Sequence, residues 1–156
     1  MLVLLRLESD GDVQYIALER LEATYKSCRL VADVCVHASA KAKQSIAIIF
    51  PNENSLRLVL TQRSFPRVNV GVPLMDLCHN RAVQQLVLEE CNTTGKRNDL
   101  KLIEMLAAVI LTTEEWTLRS SLSTAAQKVR RSQIARHFEQ EIKVRLRVVA
   151  DGSSLC

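Results

Sequence analysis

Five cysteines and three histidines are the side chains of this 156-residue chain that metal or nucleophile chemistry would draw on. Cys28, Cys35, His37, Cys78 and His79 are the potential ligands. Structural zinc sites use two close-spaced pairs of the C-x2–4-C kind, and the sequence has no such pairs. Cys35 and His37 would share one side of a strand, whereas the adjacent Cys78 and His79 diverge by about 100° on a helix. The spacing therefore calls for no metal. A Cys–His nucleophile needs its base within hydrogen-bond reach, and Cys78–His79 offers only adjacency. The expectation for Cys28, Cys35, Cys78 and Cys91 is the usual one for free cysteine, small residues in or near the core. His137, beside Phe138, reads as a surface histidine on a basic helix. Glu89-Glu90 and Glu114-Glu115 lack a framing motif and read as solvated helix faces. Gly11, Gly71, Gly95 and Gly152 are isolated, so neither G-x-G-x-x-G nor G-x-x-x-x-G-K-[ST] occurs. No cofactor and no catalytic residue is expected on this inventory.

The remaining signal is electrostatic. From Trp116 to Val149 eight basic residues accompany two acidic ones, Glu139 and Glu141, a net +6 in a chain of net +4, which leaves the other residues at −2. The candidate binding residues are Lys128, Arg130, Arg131, Arg136, Lys143, Arg145 and Arg147, a positive stripe that would meet an anion. With no enzyme motif in view, the chain is expected to be a non-enzymatic interaction or adaptor subunit of an intracellular complex. Its basic carboxyl-terminal helix and strand would meet an acidic protein partner, in a homo- or hetero-oligomer and without a membrane. The alternative is an RNA- or DNA-binding protein that contacts phosphates through the same segment. Aromatic content of 4% weighs against that alternative, because it supplies no stacking sheet for bases. Replacing Arg130, Arg131 and Arg136 by Glu is expected to abolish partner binding with folding largely intact.

The basic residues need elements to position them. Residues 123–141 lack Gly and Pro and open with Ser123 and Thr124, which can cap a helix; Ile134, Ala135, Phe138 and Ile142 then fall on one face. Beyond Glu141, Ile142, Val144, Leu146 and Val148 alternate with Lys143, Arg145 and Arg147, as in a strand with one buried face. A continued helix is the rival reading, and β-branched content favours the strand.

Upstream, Leu2–Glu8 reads as a strand, Ser9–Asp12 as a turn and helix start, Val13 to about Ser27 as a helix, and Leu30–Ala38 and Gln44–Phe50 as strands. Ser55–Gln62, with Leu56, Leu58 and Leu60 on one face, reads as a strand in a hairpin with the one before it. Arg63–Pro73 is irregular, with a short edge strand at Arg67–Val70. Asp76–Cys91 reads as a helix ended by Thr93–Arg97, and Asp99–Leu111, apolar nearly all round in MLAAVIL, as a central core helix capped by Asn98. Thr112–Glu115 has capping-box spacing and would start a short helix carrying Trp116.

Hydrophobic content of 47% and charged content of 24% suit a globular chain. The expected fold class is α+β, order β-α-β-β-β-α-α-α-β. A mostly antiparallel sheet from the N-terminal half would pack against helices from the C-terminal half, in a single compact domain over residues 1–150 with a flexible tail at 151–156. Arg6 and Glu8 interrupt the apolar start before a signal peptide develops, and Met105–Leu111 is far short of the roughly 20 residues that cross a bilayer. An odd set of irregularly spaced cysteines then reads as reduced thiols in the cytoplasm or nucleus.

Overall fold

The structure is a computed structural model that describes residues 4–9, 12–38, 45–63, 68–114, 116 and 131–150, with backbone alone at 4–9, 12–16, 131, 149 and 150. Strand β1 (Leu4–Ser9) pairs antiparallel with β2 (Asp12–Ala17), in a register running from Leu4↔Ala17 to Ser9↔Asp12. The expected helix therefore starts late, at α1 (Leu18–Lys26). Val13 and Ile16 match a helical repeat with Ala17 and Leu21, but the ladder to β1 takes them first.

The centre of the fold is a three-stranded sheet in the order β3 (Val31–His37), β4 (Ser45–Pro51), β5 (Leu106–Leu111). β3 and β4 are antiparallel, and β4 and β5 are parallel. The α+β class holds, but the sheet is small and mixed rather than mostly antiparallel. Its parallel pair follows from the connection between β4 and β5, which contains α2 (Glu53–Gln62), α3 (Leu74–His79) and α4 (Arg81–Arg97). A long helical crossover returns the chain in the direction in which it left.

Both faces of this sheet are covered. Val34, Val36, Ala47, Ile49, Val109 and Leu111 face one cluster, which includes Leu21 and Tyr25 of α1, Leu56 and Leu60 of α2 and Val83 and Val87 of α4. Cys35, Ile46, Ile48, Ala108 and Ile110 face the other, with Trp116, Ile134, Phe138 and Ile142. This sandwich explains the misreading of Asp99–Leu111. A strand buried on both sides loses its polar alternation, so its apolar run resembles a buried helix. Between Arg97 and β5 lie Asp99, with a left-handed φ of 59°, and one 3₁₀ turn, Leu102–Glu104.

Ser55–Gln62 is likewise a helix and not a strand. The Asn52 side chain accepts a hydrogen bond from the Ser55 amide at 3.1 Å and caps α2. Leu56, Val59 and Leu60 are buried at helical spacing while Leu58 is 56% exposed. Asn80 performs the same service for α4, accepting from the Ala82 amide at 2.9 Å, and it divides the expected single helix into α3 and α4. α4 continues past Thr93 through Arg97. Gly95 sits inside it where a side chain would press on Leu100 and Met105, which close against the helix. Val68–Val70 forms no strand, and Arg67 lies outside the described residues, as do the expected start of the basic helix and residue 115.

Candidate functional site

α5 (Arg131–His137) and α6 (Glu139–Ala150) form the layer that carries the candidate basic residues. Backbone bonds from the Phe138 amide to Ile134 and from the Ile142 amide to Phe138 span the junction between the two helices. The strand reading of 142–149 is thus corrected to a helix. Ile142 is buried while Val144 is 58% exposed, which period-two alternation would not allow. At about 100° per residue, Ile134, Phe138, Ile142 and Leu146 make one continuous stripe against the sheet.

This geometry divides the positive stripe. Lys143 and Arg147 share one side of α6, whereas Arg145 stands about 200° from Lys143 and turns toward α4. Arg136 and Lys143 flank a shallow groove with His37, Glu139 and Leu146. Lys143 Nζ pairs with Glu139 Oε1 at 3.2 Å. Arg136 and Arg147 are exposed and have no carboxylate partner among the described residues. Arg131 opens α5, and Lys128 and Arg130 lie outside the described residues.

On the Arg145 side lies a cleft of about 580 Å³. One wall is α3 and the start of α4, with Met75, His79, Arg81 and Gln84; the other is α5–α6, with His137, Glu141, Val144 and Arg145; the end of β5 forms the floor. Buried Gln84 bridges the two walls: its Nε2 donates to the Cys78 carbonyl at 2.8 Å and its Oε1 accepts from Arg145 Nη2. Burial, and then the charge of Arg81, press the Arg145 guanidinium below its ordinary value. Neither arginine has a carboxylate partner among the described residues, so two like charges share one cleft.

Across the same cleft the Glu114 amide donates to Thr112 Oγ1 at 3.1 Å, and Glu114 Oε2 meets His137 Nε2 at 2.6 Å. His137 also stands edge-on to Phe138, with ring centroids 4.9 Å apart. A carboxylate-oriented imidazole of this kind can hold or relay a proton. The sequence showed no trace of it, because the two residues are joined only where the α5–α6 layer packs on the sheet, α5 against β3 and α6 against β5. His137 is at the surface of α5 as expected, and Glu114 engages it there.

The four described cysteines are buried, and only Cys28 and Cys91 come together. Cys35 lies in the core under α5, and His37 is half-buried with burial lowering its imidazole. Cys78 is buried while exposed His79 turns Nδ1 to the Met75 carbonyl at 2.8 Å. Cys28 and Cys91 do meet. The hydrogen bond from Cys91 brings the Cys28 thiol down to about 6 against the opposing effect of burial, and the same bond with burial pushes Cys91 up. Among the described residues no three His, Cys, Asp or Glu side chains converge as metal ligands, and no helix is long and apolar enough to cross a membrane.

No family model matches the chain. It is 38% identical over 133 residues to long-chain-fatty-acid–CoA ligase 2 of Schizosaccharomyces pombe, covering 83% of this chain and 19% of that protein. Identity to ligase 1 of the same organism is 36% over 129 residues, covering 83% and 19%. Identity to long-chain-fatty-acid–CoA ligase 3 of Saccharomyces cerevisiae is 30% over 130 residues, covering 83% and 18%. The chain thus spans about a fifth of the length of these curated relatives.

Among solved structures, the A-PCP didomain of carboxylic acid reductase from Segniliparus rugosus, in complex with AMP, superposes at a TM-score of 0.70 and 19% identity, over 90% of this chain and 17% of that one. The adenylation domain of a Mycobacterium chelonae carboxylate reductase gives 0.69 and 20%, over 90% and 19%. The fold is therefore one that adenylation domains contain. These likenesses overturn the expected adaptor subunit and its nucleic-acid alternative, since the relatives are enzymes that ligate a fatty acid to CoA. Clustered cations announce an anion without saying whether it is a macromolecule or a small substrate.

Proposed function

We propose that the chain supplies part of an adenylate-forming acyl-CoA ligase acting on long-chain fatty acids. The observation that carries this reading is the 38% identity over 133 residues to the S. pombe ligase. The fold shared with adenylation domains supports it independently of sequence. In such a reaction a carboxylate oxygen attacks the α-phosphorus of ATP and expels pyrophosphate, and the thiol of CoA then attacks the acyl carbon and releases AMP. ATP and CoA are polyanions, and Lys128, Arg130, Arg131, Arg136, Lys143, Arg145 and Arg147 offer the counter-charge that such phosphates need.

The test is a chimera in which the matching segment of the S. pombe ligase is replaced by this chain. Thioester formation from fatty acid, ATP and CoA is expected to persist, and to fall when Lys128, Arg130 and Arg136 are changed to Gln. A chimera that folds, binds substrates and forms no thioester contradicts the reading. Activity unaffected by the Gln changes removes the basic residues from it.

A further inference from the structure

We propose that the cleft between α3–α4 and α5–α6 binds a phosphate monoester bearing a compact apolar group, with its dianion held between Arg81 and Arg145. The site shares Arg145 with the ligase reading, adds Arg81 and the apolar walls to it, and is tested without the ligase reaction. Two guanidinium groups line one cleft, and among the described residues neither is matched by a carboxylate. Glu114 shares the cleft but is engaged with His137. Glu141 lines it too, one turn before Arg145, yet Arg145 reaches across to the neutral Gln84 amide instead.

That bond orients Arg145 and engages one of its five N–H groups, which leaves the others for a ligand. The repulsion between Arg81 and Arg145 is relieved by an anion placed between them. A dianionic phosphate balances both charges and presents oxygens to two forks at once, which a carboxylate monoanion does not. The walls explain the apolar group. Met75 at 57% exposure and Val144 at 58% are two of four exposed large hydrophobic side chains among the described residues, and both rim this cleft from opposite sides.

Phenyl phosphate is the probe, titrated calorimetrically into the full chain at low salt and mildly alkaline pH, where the dianion prevails. Arg81→Glu is the variant. Arg81 is exposed and is the first residue of α4, where an acidic side chain suits the helix dipole, so circular dichroism and melting should be unchanged. Binding is expected in the parent chain and should weaken about tenfold or more in Arg81→Glu. Val144→Ser should weaken phenyl phosphate while leaving inorganic phosphate unchanged. No binding by the parent, or equal affinity in Arg81→Glu, overturns the site. Inorganic phosphate binding as tightly as phenyl phosphate, with both lost in Arg81→Glu, makes free phosphate the ligand and overturns the apolar half of the proposal.

Discussion

Burial holds a thiol neutral, and at Cys78 burial, with the charge of Glu53 adding, pushes it up to about 11. Cys28 is as enclosed, 4% exposed against 2%, yet the hydrogen bond from Cys91 brings it down to about 6. With access equal, the thiolate fraction decides reactivity. A small methanethiosulfonate should label Cys28 with half-maximal rate near pH 6, while labelling of Cys78 climbs only toward pH 11, as read by peptide mass mapping. Identical pH profiles for the two would contradict the paired-thiol account. For Cys78 the sign on stability follows: the folded pKa lies above the ordinary 9.0, so its contribution is complete below that pH and is lost as pH rises through about 11. The sequence conveyed that these cysteines would be buried, because free cysteine packs as a small apolar residue. It could not convey that Cys28 meets Cys91, or that Glu114 meets His137, since each pair is made by tertiary packing.

α2 separates two readings of the same leucines. Leu56, Leu58 and Leu60 share a face in a strand, whereas in a helix Leu56 and Leu60 lie together and Leu58 points away. Leu60→Ala should therefore cost about 2–5 kcal/mol in urea unfolding, and Leu58→Gln should stay within about 0.5 kcal/mol. Comparable losses at both positions would restore the strand. β3 and β4 were legible because turn signals bound short β-branched runs there. β5 was not, because cover on both faces erased its alternation. Residues 142–149 satisfied both periodicities, and only burial against the sheet chose between them. The capping role of Asn52 was hidden behind Pro51, which reads equally well as a turn between strands.

As a whole, the described cations of α5 and α6 lie on two sides of one helical layer rather than along a single stripe, and the contrast with the sequence reading is a matter of geometry. Charge totals are indifferent to where side chains point, so +6 in one segment was compatible with a partner protein, a nucleic acid or small phosphorylated substrates. Under the proposed ligase function, which rests on the identity to fatty-acid–CoA ligases, the last is the expectation. Thioester formation by the chimera reports the complete reaction; the activation step can be isolated from it. The most direct measurement is fatty-acid-dependent exchange of labelled pyrophosphate into ATP by the S. pombe ligase carrying this chain in place of its own segment. The account predicts exchange that requires the long-chain acid and disappears when the segment is deleted. A folded chimera with no exchange above the deletion control would contradict it.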